Sequence, residues 1–98
     1  MSLEIKVLNQ SGKKEVYECT FIPARKYLEY LELEESIEKE NFKPSEILGK
    51  RLAFIATLFD NLTVDEMYDG LSTKELPVIV QEVTMAILGG GDDDPKDK

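Results

Sequence analysis

The amino-acid sequence predicts an α+β domain that is predominantly α-helical, with an N-terminal β-hairpin, about four helices and a disordered acidic C-terminal tail. Three observations predict it. Leu3, Ile5 and Val7 alternate with Glu4 and Lys6, and Tyr17, Cys19 and Phe21 resume the period of two beyond the turn-forming Asn9-Gln10-Ser11-Gly12. Apolar rows at three- and four-residue spacing follow each of Pro23 and Pro44. Two helix-start signatures, Thr63-Val64-Asp65-Glu66 and Ser72-Thr73-Lys74-Glu75, stand almost back to back with Asp69-Gly70 as a stop between them.

An isolated hairpin is marginal in water, so its apolar face must lie on helices or its edge must meet another strand. Pro23 fixes φ where a helix can begin and loses nothing by lacking an N–H there, which predicts a helix from about Pro23 to about Glu40. Its first turns are expected to bury Ala24, Tyr27, Leu28 and Leu31. Tyr30, Leu33 and Ile37 form a second stripe well round the helix, either packed under the next helix or free to bind a partner. Glu29, Glu32, Glu34, Glu35, Glu38 and Glu40 read as a solvated face.

Asn41 to Lys43 forms a break, and Pro44 restarts a helix reaching Phe59 with two apolar rows. Leu48, Leu52, Ile55 and Phe59 form one; Ile47, Phe54 and Leu58 form the other. That width suits a central helix, and Arg51 between the rows is expected at an edge, paired with a Glu or Asp. A short helix from about Val64 to Tyr68 should end at Gly70 in the left-handed cap conformation. Leu62 with Met67 and Leu71 with Leu76 are the apolar pairs that clip the chain onto the first turns.

In the last helix Leu76, Ile79, Val80, Val83 and Ile87 make a core stripe. Val78-Ile79-Val80 alone would suit a strand equally well, and the Ser72 cap and the length decide for helix. Pro77 predicts a kink, or a regular start only near Glu75. Val78 and Met85 point away from the core. Gly89-Gly90-Gly91 stops the helix and residues 92–98 have nothing to bury, giving a single domain over 1–88 and a flexible tail over 89–98.

With 98 residues, 42% hydrophobic and 33% charged, the composition is that of one globular domain with a real core. Twenty acidic against twelve basic residues give a net charge of −8, which repels phosphate backbones and argues against nucleic acid as a ligand. There is neither a long apolar run nor a basic-then-apolar leader, so no membrane span or secretory signal is expected. With no His and a single Cys19, imidazole-activated nucleophiles and Cys/His metal sites are not expected, and Cys19 reads as a small core hydrophobe. Counting carboxylates leaves an acid/base pair open, but no pattern places two in an apolar pocket. Asp92-Asp93-Asp94 lacks the spaced oxygens of a calcium loop, and the glycine triplet precedes no helix that would cradle phosphate. No catalytic, metal or cofactor residues are assigned; the expected chemistry is binding.

The segment Ala56-Thr57-Leu58-Phe59-Asp60-Asn61-Leu62-Thr63-Val64-Asp65-Glu66-Met67-Tyr68-Asp69-Gly70-Leu71 resembles the tail assembly chaperones of long-tailed phages of Gram-positive bacteria. The upstream order, a hairpin and then Pro23-Ala24-Arg25-Lys26 opening an acid-rich helix, is similar too, as is the ending Ile87-Leu88-Gly89-Gly90-Gly91. The resemblance covers Ile5 to Gly91. It implies a non-enzymatic chaperone that coats the tape measure protein and keeps it soluble until tail-tube subunits polymerise around it. Such a protein acts in the host bacterial cytoplasm and is absent from the mature virion. The resemblance also implies a longer form, made by ribosomal slippage, that recruits the tail-tube protein.

Helical spacing, not the resemblance, makes Tyr30, Leu33 and Ile37 on one helix and Val78 and Met85 on the last the expected partner-binding residues. Surplus apolar rows also predict a homo-oligomer. The competing reading is a small acidic regulator or inhibitor that mimics nucleic acid by charge, whose binding would weaken steeply with salt.

Overall fold

A computed structural model of the chain describes residues 3–89, in the order β1 (Leu3–Leu8), β2 (Lys14–Cys19), α1 (Ala24–Lys39), α2 (Pro44–Ala56), α3 (Val64–Gly70) and α4 (Glu75–Ile87). This is the expected hairpin followed by four helices, with 56% of the described residues helical. Residues 90–98, where the flexible tail is expected, lie outside the described residues.

β1 and β2 pair antiparallel with Leu3 opposite Cys19, Ile5 opposite Tyr17 and Val7 opposite Glu15. Burial of Leu3, Ile5 and Val7 pins that register, because a slip of one residue would turn all three to solvent. The loop is held by Asn9, whose Oδ1 accepts from the N–H groups of Ser11 and Lys13, both at 3.0 Å. Gly12 closes it at φ +85°, the left-handed position of a three-residue hairpin loop. Phe21 departs from expectation. Among the described residues the last pair of the ladder is Leu3–Cys19, and Phe21, outside strand β2, is 76% exposed. Cys19 is buried, and its thiol donates to the Phe21 carbonyl at 3.3 Å.

α2 is the central helix, packed against α1, α3 and α4. Leu52 and Ile55 are buried along one row, with Phe54 and Leu58 half-buried beside them. It ends at Ala56, three residues short of the expected Phe59. There Thr57 Oγ1 donates to the Phe54 carbonyl at 2.6 Å, and Asn61 turns the chain at φ 63°. Phe59 is buried nonetheless. Together with Leu3, Ile5 and Val7, Met67 of α3, and Ile79, Val83 and Ile87 of α4, these side chains form one core cluster.

Both capping boxes form. Glu66 N–H donates to Thr63 Oγ1 at 3.1 Å while Thr63 N–H donates to Glu66 Oε1 at 2.9 Å. Ser72 and Glu75 repeat the exchange at 3.0 and 2.8 Å. The clipping residues Leu62, Met67 and Leu71 are buried and Leu76 is half-buried. α4 starts regularly at Glu75, which places Pro77 in the first turn, where its missing N–H costs nothing. At its far end Gly89 takes φ +74°, as the glycine stop requires.

Two further expectations fail. Gly70 is not a left-handed cap: it is the last residue of α3, outside the positive-φ region, and buried. A glycine is required because a Cβ there would collide with the Leu8 carbonyl oxygen and with Val7 Cγ1. In addition, α1 is rolled opposite to expectation. Ala24, Tyr27, Leu28 and Leu31 are exposed, while Tyr30, Leu33 and Ile37 are half-buried. Both stripes are apolar, so periodicity does not choose between them. The stripe that turns inward, Tyr30, Leu33 and Ile37, is the one on the side of α2 and α4, the helices against which α1 packs.

Candidate functional site

The inward side of α1 is a mixed polar and apolar seam. Tyr30 meets Phe54 with ring centroids 6.2 Å apart and planes tilted by 47°. Tyr30 and Leu33 line the crevice between α1, α2 and α4 together with Arg51, Phe54 and Val83. Arg51 donates through its two terminal guanidinium nitrogens to Glu34, the Nη2 contact at 3.3 Å, which places it at an edge opposite a carboxylate as the sequence predicts. Lys26 bonds Glu29 at 3.1 Å and Thr57 Oγ1 at 3.0 Å and sits 6.0 Å from the Phe54 ring. Charged residues therefore occupy the inner face of α1, with their aliphatic stems packed and their heads at the rim.

The outer side of α1 carries Tyr27, Leu28 and Leu31 over its first two turns, then Glu32, Glu35 and Glu38, all exposed. On α4, Val78 is 52% exposed and Met85, seven residues on, 47%. Of the five residues singled out from the sequence, Val78 and Met85 face solvent. Tyr30 and Leu33 line the seam, and Ile37 is half-buried at its border. The residues sequence reasoning missed are Tyr27, Leu28 and Leu31. The signal that could have found them is Arg51: a Glu34 partner for that side chain requires the Tyr30 side of α1 to face α2.

Among the described residues no group of three or more His, Cys, Asp or Glu side chains is placed to hold a metal ion. The open hollow between the hairpin loop and α3 is lined by Asp65, Glu66 and Asp69. Glu66 is engaged in the capping box. Two titrations are displaced. Burial, then the Glu66 and Glu15 carboxylates, push the Tyr17 hydroxyl above its ordinary 10.0. The Ser72 N–H, then Lys14, hold Glu75 below its ordinary 4.5. Lys14 reaches Glu75 at 3.1 Å across 61 residues of sequence, tying the hairpin to α4. Among the described residues no helix is long and apolar enough to cross a membrane.

A two-stranded hairpin followed by four helices, with large hydrophobic side chains facing outward on α1, α3 and α4, defines a small α+β protein. The family model described as phage tail chaperone protein matches residues 1–98, and the chain belongs to that family. No curated protein and no solved structure matched the chain. Membership implies protein partners in tail assembly and a role in the host while phage tails are assembled.

Proposed function

We propose that the protein is a non-enzymatic chaperone that binds the tape measure protein and keeps it soluble in the host cytoplasm until tail-tube subunits polymerise around it. It is then displaced and left out of the mature virion. The observation that carries this reading is the outward apolar stripe Tyr27, Leu28 and Leu31 of α1, which the chain's own core leaves exposed. Val78 and Met85 on α4 supply a second stripe.

Magnitudes favour a coating role over a single tight contact. Full burial of a Leu or Met side chain is worth about 1.5–3 kcal/mol, and these are already half covered, so one stripe supplies about 2–4 kcal/mol. That corresponds to a dissociation constant of about a millimolar or weaker. Helix-in-groove contacts repeated along one long client gain avidity, all the more when the chaperone units associate with one another. Tail-tube subunits would be recruited by a longer slippage product carrying an additional domain. The test is co-expression with the tape measure protein of the same phage: the client is expected in the soluble fraction and in complex with this chain. Client that is equally soluble without it, or never co-purifies, contradicts the proposal.

A further inference from the structure

The outer face of α1 changes character along its length. Tyr27, Leu28 and Leu31 are exposed over the first two turns, and the same face continues into exposed Glu32, Glu35 and Glu38. The spacing makes this one surface: Glu32 stands four residues after Leu28, and Glu35 four after Leu31. A shallow hollow lined by Leu31, Glu34, Glu35, Ile37 and Glu38 lies where the two halves meet. Glu29 and Glu34 are engaged by Lys26 and Arg51, whereas among the described residues Glu32, Glu35 and Glu38 are in no ion pair.

We infer that this face takes one amphipathic helix of a partner protein, basic at one end. Its apolar stripe covers Tyr27, Leu28 and Leu31, and Lys or Arg about one turn further along meets Glu32, Glu35 and Glu38. The inference rests on the chaperone reading and adds the chemistry of the client segment and its direction along α1. Charge selects this occupant. An all-apolar helix would take the carboxylates out of water unpaired, and an acidic one would be repelled. A second copy would bring together two chains of net charge −8, each with the same glutamates on the face. The apolar half holds the partner in salt, while the carboxylate half orients it and is screened as ionic strength rises.

The test uses the full chain and two synthetic amphipathic peptides with the same leucine stripe, one ending in lysines and the other in glutamates, titrated by fluorescence anisotropy. The lysine-ended peptide should bind about ten-fold tighter at low salt. That preference should collapse in about 1 M salt, where the screening length is near 3 Å. It should also collapse in the triple variant Glu32→Gln, Glu35→Gln, Glu38→Gln. Leu28→Ser with Leu31→Ser should abolish binding of both peptides. All five substitutions fall on exposed side chains, and an unchanged thermal transition checks the fold. Equal affinity for the two peptides, no binding of either, indifference to the leucine substitutions, or a wild-type dimer that those substitutions dissociate would each overturn the inference. Co-purification of the tape measure protein keeps the two readings apart. A retained client without charge preference ends this inference alone, and charge preference without the client ends the proposed function alone.

Discussion

Gly70, the last residue of α3, lies so close to the backbone of Leu8 in β1 that a Cβ at that position has no room, its distance to the Leu8 nitrogen being only 3.0 Å. The contact joins the helical half of the fold to the hairpin through backbone, which cannot move aside as a flexible side chain can. Gly70→Ala is therefore expected to cost about 1–3 kcal/mol, the usual penalty of overpacking. Gly49 in α2 is the control. A Cβ there meets Tyr68 Oη at an ordinary 3.6 Å, so Gly49→Ala should stabilise by about 0.5–1 kcal/mol. Urea unfolding of the two variants checks both signs.

Thr63→Ala removes the hydroxyl that accepts from Glu66 N–H and leaves that donor without its cap. The expected loss is about 1 kcal/mol, measured by thermal or chemical unfolding.

The Arg51–Glu34 pair is partly exposed, with 29% and 33% of the side chains accessible. Its coupling should accordingly be about 0.5–1 kcal/mol in a double-mutant cycle of Arg51→Ala and Glu34→Ala. A coupling near zero would mean that the pair does not fix the roll of α1.

Glu75 supplies a pH dependence of known sign. Its folded pKa lies below the ordinary 4.5, so the carboxylate stabilises the fold above that value, and the contribution is lost as pH falls through the lowered folded pKa. As pH falls through the lowered folded pKa, Glu75→Gln should lose less stability than the wild type. An identical acid limb in the two proteins would contradict the assignment.

The chain wrote its caps and periods plainly and its facing ambiguously. The Thr63 and Ser72 boxes, the hairpin turn at Asn9 to Gly12 and the core stripe of α4 are local patterns, and all were legible in the sequence. What was not legible depends on the neighbour. Gly70 reads as a helix stop by type, and only the approach of Leu8 reveals why it is glycine. α1 carries two apolar stripes, and only the crevice formed with α2 and α4 decides that Tyr30 and Leu33 turn inward while Tyr27, Leu28 and Leu31 stay out. Phe21 continues the alternation of β2 on paper but lies outside the strand, which ends at Cys19, and is exposed.

The proposed grip of the outward face of α1 on the tape measure protein is open to a single decisive experiment. Its most direct measurement is the soluble fraction of that client co-expressed with wild-type chain and with the variant Tyr27→Ser, Leu28→Ser, Leu31→Ser. The account predicts that the variant melts like the wild type and leaves the client insoluble; a variant that folds and solubilises the client as well as the wild type does would contradict it.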